Sequence, residues 1–207
     1  MKFVLFLMLF SIQPSFAAEK HDAHKGHGGH AGHAEHTDDL KSVTPPSGTS
    51  ILQLESTWKN QKGQDVKISE MGGKNRLVVM LFTRCETACP LIVEDLKKIY
   101  SEINSKKPDQ VEVSLFSFDS FRETPASLLE FSVKRKLPSQ WELYTSSADA
   151  VSELAASLGI RYKRLANGDF IHSNVIYFLN KKGEVVEKKE GLKTPSKEFL
   201  AEIKKSL

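Results

Sequence analysis

Leu77-Val78-Val79-Met80-Leu81-Phe82-Thr83-Arg84-Cys85-Glu86-Thr87-Ala88-Cys89-Pro90 runs from an unbroken apolar segment straight into two cysteines and a proline. Six apolar residues with two valines, at 77–82, have the length and composition of a strand covered on both faces. Pro90 suits the first turn of a helix, and Leu91, Ile92, Leu96 and Ile99 recur at helical spacing to about Ile103. A buried strand passing into a helix through a short loop is the unit of a layered α/β domain, and such loops commonly carry function.

Outward from that stretch the alternation continues. Upstream, residues 58–66 read as a small hairpin turning around Gly63. Downstream, 111–118 alternates as a second strand, with Val111, Val113 and Leu115 on its apolar side. Thr124-Pro125 starts a helix whose apolar side is Leu128, Leu129 and Phe131. Residues 141–144 form a short strand, and 148–158 a helix closed by Gly159. Two apolar runs, 175–179 and 185–188, flank Asn180-Lys181-Lys182-Gly183 as a hairpin, and 196–207 is a last helix. This order predicts an α/β fold with a mixed central sheet.

The chain has 207 residues, 40% hydrophobic and 27% charged, which fits one globular domain with extensions. A disordered polyelectrolyte and a polytopic membrane protein are both excluded. Basic and acidic residues number 29 and 26, too balanced to favour nucleic acid as a partner. At the start, Met1 and Lys2 precede apolar residues 3–12, broken only by Ser11, and then Pro14 and Ser15-Phe16-Ala17-Ala18. One positive charge, about ten apolar residues and small residues before a cut after Ala17 make a secretory signal peptide, half the span a bilayer needs. The expected organisation is therefore a signal peptide at 1–17, a disordered His-rich arm and linker at 18–50, and the domain at 51–207. The mature chain is expected to be exported to the periplasm, soluble, and without a stable membrane span. In that compartment cysteines can persist as a disulfide.

Cysteine occurs twice, as Cys85 and Cys89, in the pattern C-x3-C-P. Three intervening residues let both sulfurs converge on one turn, either as a disulfide or as two thiolates on one soft metal. A crosslink closing so short a loop restricts the unfolded chain little, so a reactive pair is a better reading than a structural staple. Cys89 stands at the helix entrance, where unpaired N–H groups and the macrodipole favour a thiolate. Arg84 and Glu86 act in opposite senses beside Cys85, leaving its ionisation undecided. The spacing alone does not separate redox chemistry from metal binding. One histidine falls inside the domain, His172, in Phe170-Ile171-His172-Ser173-Asn174. It is expected on a loop before the run 175–179, where a mixed sheet could bring it beside the cysteines. Two thiolates and one imidazole form a soft set that suits copper, Cu(I) especially.

These residues resemble the SCO/SenC proteins, thioredoxin-like copper chaperones of cytochrome c oxidase assembly. The resemblance covers nearly the whole domain and rests on three blocks in order. They are Phe82-Thr83-x-Cys85-x3-Cys89-Pro90, then Ser117-Phe118-Asp119-x-x-Arg122-Glu123-Thr124-Pro125, then His172-Ser173-x3-Tyr177-Phe178-Leu179-Asn180-x-x-Gly183. It implies a thioredoxin-like fold, with a mixed central sheet flanked by helices and an inserted hairpin. It also implies Cys85, Cys89 and His172 as copper ligands, Cys85–Cys89 as a redox-active pair, and Asp119 as a loop residue near the site. The chain departs from the family pattern at Glu86 and Thr87-Ala88, where members often carry a proline and an acidic residue, and at Ser120, which replaces a proline. Most members are held to a membrane by a helix or a lipid; no lipidation cysteine stands near the expected cut here.

Two functions follow as expectations. The first is an exported metallochaperone, not an enzyme, that delivers copper, as Cu(I) or Cu(II), to a copper-accepting protein such as a cytochrome c oxidase subunit. A thioredoxin-like reductant would be a further partner. The second is a thiol-disulfide oxidoreductase in which Cys85 and Cys89 cycle to keep a partner's copper-site cysteines reduced. A thiol peroxidase finds no Thr-x-x-Cys context here. Outside the domain, His21, His24, His27, His30, His33 and His36 recur at every third position. In an extended chain they would stand roughly 9 Å apart, too far to share an ion without bending the chain. Such an array predicts several weak, exchangeable Cu(II), Zn(II) or Ni(II) sites rather than one tight one.

Overall fold

A computed structural model describes residues 40–43, 48–105, 109–193 and 196–207, all within the unit Glu35–Leu207. The elements in chain order are β1 (Thr57–Asn60), β2 (Asp65–Lys67), β3 (Asn75–Leu81), α1 (Ala88–Asn104), β4 (Val111–Ser117) and α2 (Pro125–Lys134). They continue as β5 (Glu142–Thr145), α3 (Ala148–Leu158), β6 (Tyr162–Arg164), β7 (Phe170–His172), β8 (Val175–Leu179), β9 (Val185–Glu190) and α4 (Lys197–Ser206).

Seven strands form one mixed sheet in the order β2-β1-β5-β4-β3-β8-β9. At its centre β3 pairs parallel with β4, Leu77 opposite Val113 and Leu81 opposite Ser117, and antiparallel with β8. All seven residues of β3 are buried, because the strand feeds two cores by alternation. Leu77, Val79 and Leu81 join one core with Ile92, Leu96 and Ile99 of α1, Phe131 of α2 and Ile203 of α4. Val78 and Met80 face the other with Trp58, Phe116, Tyr144 and Leu154 of α3. A central strand with helices on both sides has no polar face, which is why 77–82 reads as a continuous apolar run.

Helix α1 begins two residues earlier than Pro90 suggests, at Ala88, with Thr87 as N-cap. Pro90 still lies within the first turn, where no intrahelical N–H bond is lost. The second strand is buried at nearly every position and not on one side only, because Ser114 and Phe116 turn to the opposite core, where Phe116 packs. Thr124 caps α2 and the left-handed Gly159 closes α3 as the sequence signals predict, and the structure adds a capping box between Thr124 and Ser127.

A second, two-stranded sheet of β6 and β7 stands outside the central one. It pairs Tyr162 with His172 and Arg164 with Phe170. His172 therefore ends a strand rather than lying on a loop. The segment 40–43, inside the stretch expected to be arm and linker, lies against the base of this hairpin. Val43 N–H donates to Gly159 O at 2.9 Å, and Ser173 Oγ donates to Leu40 O at 2.6 Å. Among the described residues no helix is long and apolar enough to cross a membrane.

Candidate functional site

The chain leaves β3 at Leu81 and turns within four residues, so that Cys85 N–H donates to Phe82 O at 3.2 Å. This turn lays the Cys85 sulfur over the start of α1, where the first N–H groups have no helical acceptor. Cys89 N–H donates to Cys85 Sγ at 3.2 Å. Both cysteines are free thiols, Cys85 7% exposed and Cys89 fully buried.

The two sulfurs hold their protons with opposite strength. A hydrogen bond from the Cys89 thiol lowers the Cys85 pKa most; burial opposes it, and the N–H groups of Cys89, Thr87 and Ala88 add to the fall, which brings it to about 5. Burial first, then the adjacent Cys85 sulfur, push the Cys89 thiol well above the ordinary range. Position at the helix entrance favours a thiolate at Cys89 and leaves Cys85 undecided. The structure reverses this, because Cys89 lies inside the first turn with its side chain in the core, whereas Cys85 precedes the helix and faces its N–H groups.

His172 enters from the hairpin. Its ring is 5% exposed, 4.8 Å from Phe118 and edge-on to Phe82 at 6.2 Å between centroids. Nδ1 lies 3.0 Å from Ser173 O. A carbonyl only accepts, so Nδ1 carries the proton and Nε2 keeps a lone pair, the tautomer a metal ligand needs. Burial lowers the His172 pKa, opposed by the Ser173 carbonyl and by the nearby Cys85 sulfur, so the neutral ring is favoured.

Cys85 and His172 line one cavity of about 370 Å³ between the cysteine loop and the hairpin, with Phe82, Arg84 and Phe170 among its walls. Cys89 lies beneath Cys85 and does not reach this lining. The three residues singled out from the sequence thus share one neighbourhood. Among the described residues no three His, Cys, Asp or Glu side chains form a preassembled metal cluster. The six histidines at 21–36 lie outside the described residues.

The loop 118–124 joins both halves of the site, and of its residues the sequence singled out Asp119. Asp119 is fully buried, and it forms an ion pair with Arg122. Glu123 accepts from Thr83 Oγ1 at 2.6 Å, and burial raises its carboxyl pKa against that bond. Arg122 and Glu123 stand in the same sequence block as Asp119, where only Asp119 is singled out as a residue near the site. The periodicity of the sequence places no strands at 162–164 and 170–172; Asn167-Gly168, with Gly168 at φ +87°, is the turn signal that marks them.

The family described as SCO1/SenC matches residues 47–207. The SCO1 protein homolog of Bacillus subtilis (strain 168) is 25% identical over 153 residues, covering 72% of this chain and 79% of its own. Among solved structures, BsSco is described through a disulfide switch in a member of the Sco family of cytochrome c oxidase assembly proteins. It matches with a TM-score of 0.67 at 22% identity, over 80% of this chain and 98% of its own. Arabidopsis thaliana ScoI with copper bound matches with a TM-score of 0.63 at 20% identity, over 72% of this chain and 96% of its own. The thioredoxin-like α/β fold with a mixed central sheet, expected from the sequence, is the fold these structures share with it.

Proposed function

The chain belongs to the SCO1/SenC family, and from that premise we propose that it is an exported copper metallochaperone holding its cargo on Cys85, Cys89 and His172. The supporting observation is that a low-pKa cysteine and a buried histidine of metal-ligand tautomer face one cavity, with a second thiol directly behind. Two thiolates and an imidazole suit a soft, low-coordinate ion, which favours Cu(I) over harder cations. Cys85 meets the ion as a thiolate; Cys89 gives up its proton on binding, and His172 adds its Nε2 lone pair. The thiols and the ring close on the ion as it enters, and the acceptor is a copper-binding protein such as a cytochrome c oxidase subunit. A thioredoxin-like protein would return an oxidised Cys85–Cys89 pair to thiols.

Residues 1–17 are proposed as the signal peptide and the periplasm as the destination. The histidine array ahead of the domain is proposed as a second, weaker metal-binding region that collects or buffers divalent ions.

Titration of the mature protein with Cu(I) against a competing chelator tests the ligand set. Cys85→Ser and Cys89→Ser should each abolish the tight site, and His172→Ala should weaken it at least about tenfold, since one of three donors is lost. The Cys85–Cys89 disulfide should still form in His172→Ala. Affinity indifferent to all three changes would eliminate the chaperone. Turnover of a partner's disulfide that survives His172→Ala would instead point to the oxidoreductase.

A further inference from the structure

The two halves of the site belong to different pieces of the fold. The cysteines sit between β3 and α1, while His172 ends a hairpin that makes no ladder with the central sheet. Something other than strand pairing must therefore fix the hairpin relative to the cysteine loop.

We propose that the loop 118–124 is a brace setting that distance, with Arg122 holding the tip of the His172 hairpin and Glu123 holding the start of the cysteine loop. The inference rests on the ligand set proposed above and adds positioning residues to it. Arg122 uses its guanidinium on two partners. Nε donates to Asp119 Oδ2, and Nη2 donates to Gly168 O at the turn between β6 and β7. Asp119 is fixed in turn: its other oxygen accepts from Arg122 N–H at 3.2 Å, and its own N–H donates to Ser117 Oγ at 3.0 Å. A buried carboxylate is costly unless paired, so Asp119 anchors the guanidinium rather than merely meeting it. Gly168 presses on the same group, since a Cβ there would stand 2.8 Å from Arg122 Nη1.

From the same loop, Glu123 receives Thr83 Oγ1 and, more loosely, Thr83 N–H at 3.4 Å, two residues before Cys85. Phe118 donates its N–H to Leu81 O at 2.8 Å at the end of β3 and stacks on Tyr162 of the hairpin, 5.0 Å between centroids. One short loop is thus bonded to the end of β3, the cysteine loop and the hairpin tip. Ligand sets tolerate about 0.5 Å of error, and supporting groups outside the coordination shell commonly change metal affinity by ~10–100-fold.

The test is a Cu(I) competition cycle on the full mature chain, comparing wild type, Arg122→Gln, His172→Ala and the double variant. Arg122→Gln should weaken binding by ~10-fold or more. The same change in His172→Ala should add nothing, because the Arg122 arm of the brace reaches the site through the hairpin that carries His172. Losses that add across the cycle, or a folded Arg122→Gln with wild-type affinity, overturn the brace while leaving the ligand set intact. His172→Ala at wild-type affinity removes the ligand set and the brace together. Should Arg122→Gln fail to fold, Gly168→Ala attacks the same contact from the hairpin side and carries the same expectation: a loss with His172 present, none without it.

Discussion

Cys85 and Cys89 share a loop, a helix end and a hydrogen bond, yet they differ in acidity because one faces N–H groups and the other faces the core. The largest stabiliser of the Cys85 thiolate is the Cys89 thiol, ahead of the backbone donors. Removing it in Cys89→Ala should raise the Cys85 pKa from about 5 toward the ordinary thiol range. The sign follows from the lost donor: a depressed pKa means the anion is favoured, so its loss leaves less thiolate at every pH. A pH titration of ultraviolet thiolate absorbance on the reduced protein reads this directly, and a midpoint still near 5 would show that the backbone alone sustains the anion. The pair itself was legible in C-x3-C-P, because spacing bounds how far apart two sulfurs can lie. Which sulfur ionises was not, because that depends on where the N–H vectors of Thr87, Ala88 and Cys89 point once α1 starts at Ala88.

Elements with strong periodicity or a clear stop were legible for the same physical reason that they are stable. Helix α3 runs from Ala148 to Leu158 as its pattern predicts, and Gly159 ends it in the left-handed region at φ 68°. The structure adds a second constraint that no local signal carries: a Cβ on Gly159 would stand 2.2 Å from Val43 O, where 40–43 crosses the hairpin base. Gly159→Ala should therefore cost more than the ~1 kcal/mol of left-handed strain alone. For a domain of this size each kcal/mol lowers the melting temperature by roughly 2–4 °C, so a thermal melt decides it. A fall no larger than strain alone implies would mean that 40–43 moves aside at little cost. The strands β6 and β7 carry no periodic signal because three residues offer too few positions for a period of two to register. Its partner contacts, Arg122 with Gly168 and Phe118 with Tyr162, lie more than 40 residues apart in sequence and have no local signature.

Across the whole molecule, two cores on opposite faces of one sheet hold β3 rigid, and the cysteine loop leaves its end while the hairpin approaches from outside the sheet. The strand order itself was not legible, since pairing β3 with β8 across about a hundred residues is a tertiary choice. The chemistry was more legible than the topology, because rare residue types mark it: both cysteines and one histidine fall in the domain, and six histidines precede it. These two histidine populations should separate by pH. An imidazole binds metal only when neutral, and ordinary histidines protonate near ~6.5, so ions held by the array should be released by about pH 5. His172 behaves differently, because burial lowers its pKa and keeps the ring neutral further into acid, while Cys85, with a pKa of about 5, is mostly thiolate above that pH and half thiolate at it. Cys89 must still lose a proton, so domain affinity should weaken steadily as pH falls rather than vanish in one step. Calorimetry at pH 7 and pH 5 should show divalent uptake lost at the lower pH, and lost equally in a variant with the six array histidines replaced by alanine. Cu(I) competition should meanwhile retain one tight site at both pH values. Divalent uptake unchanged at pH 5 would remove the array as a metal-binding region, and a tight Cu(I) site lost in step with the array would remove the distinction between buried and array histidines.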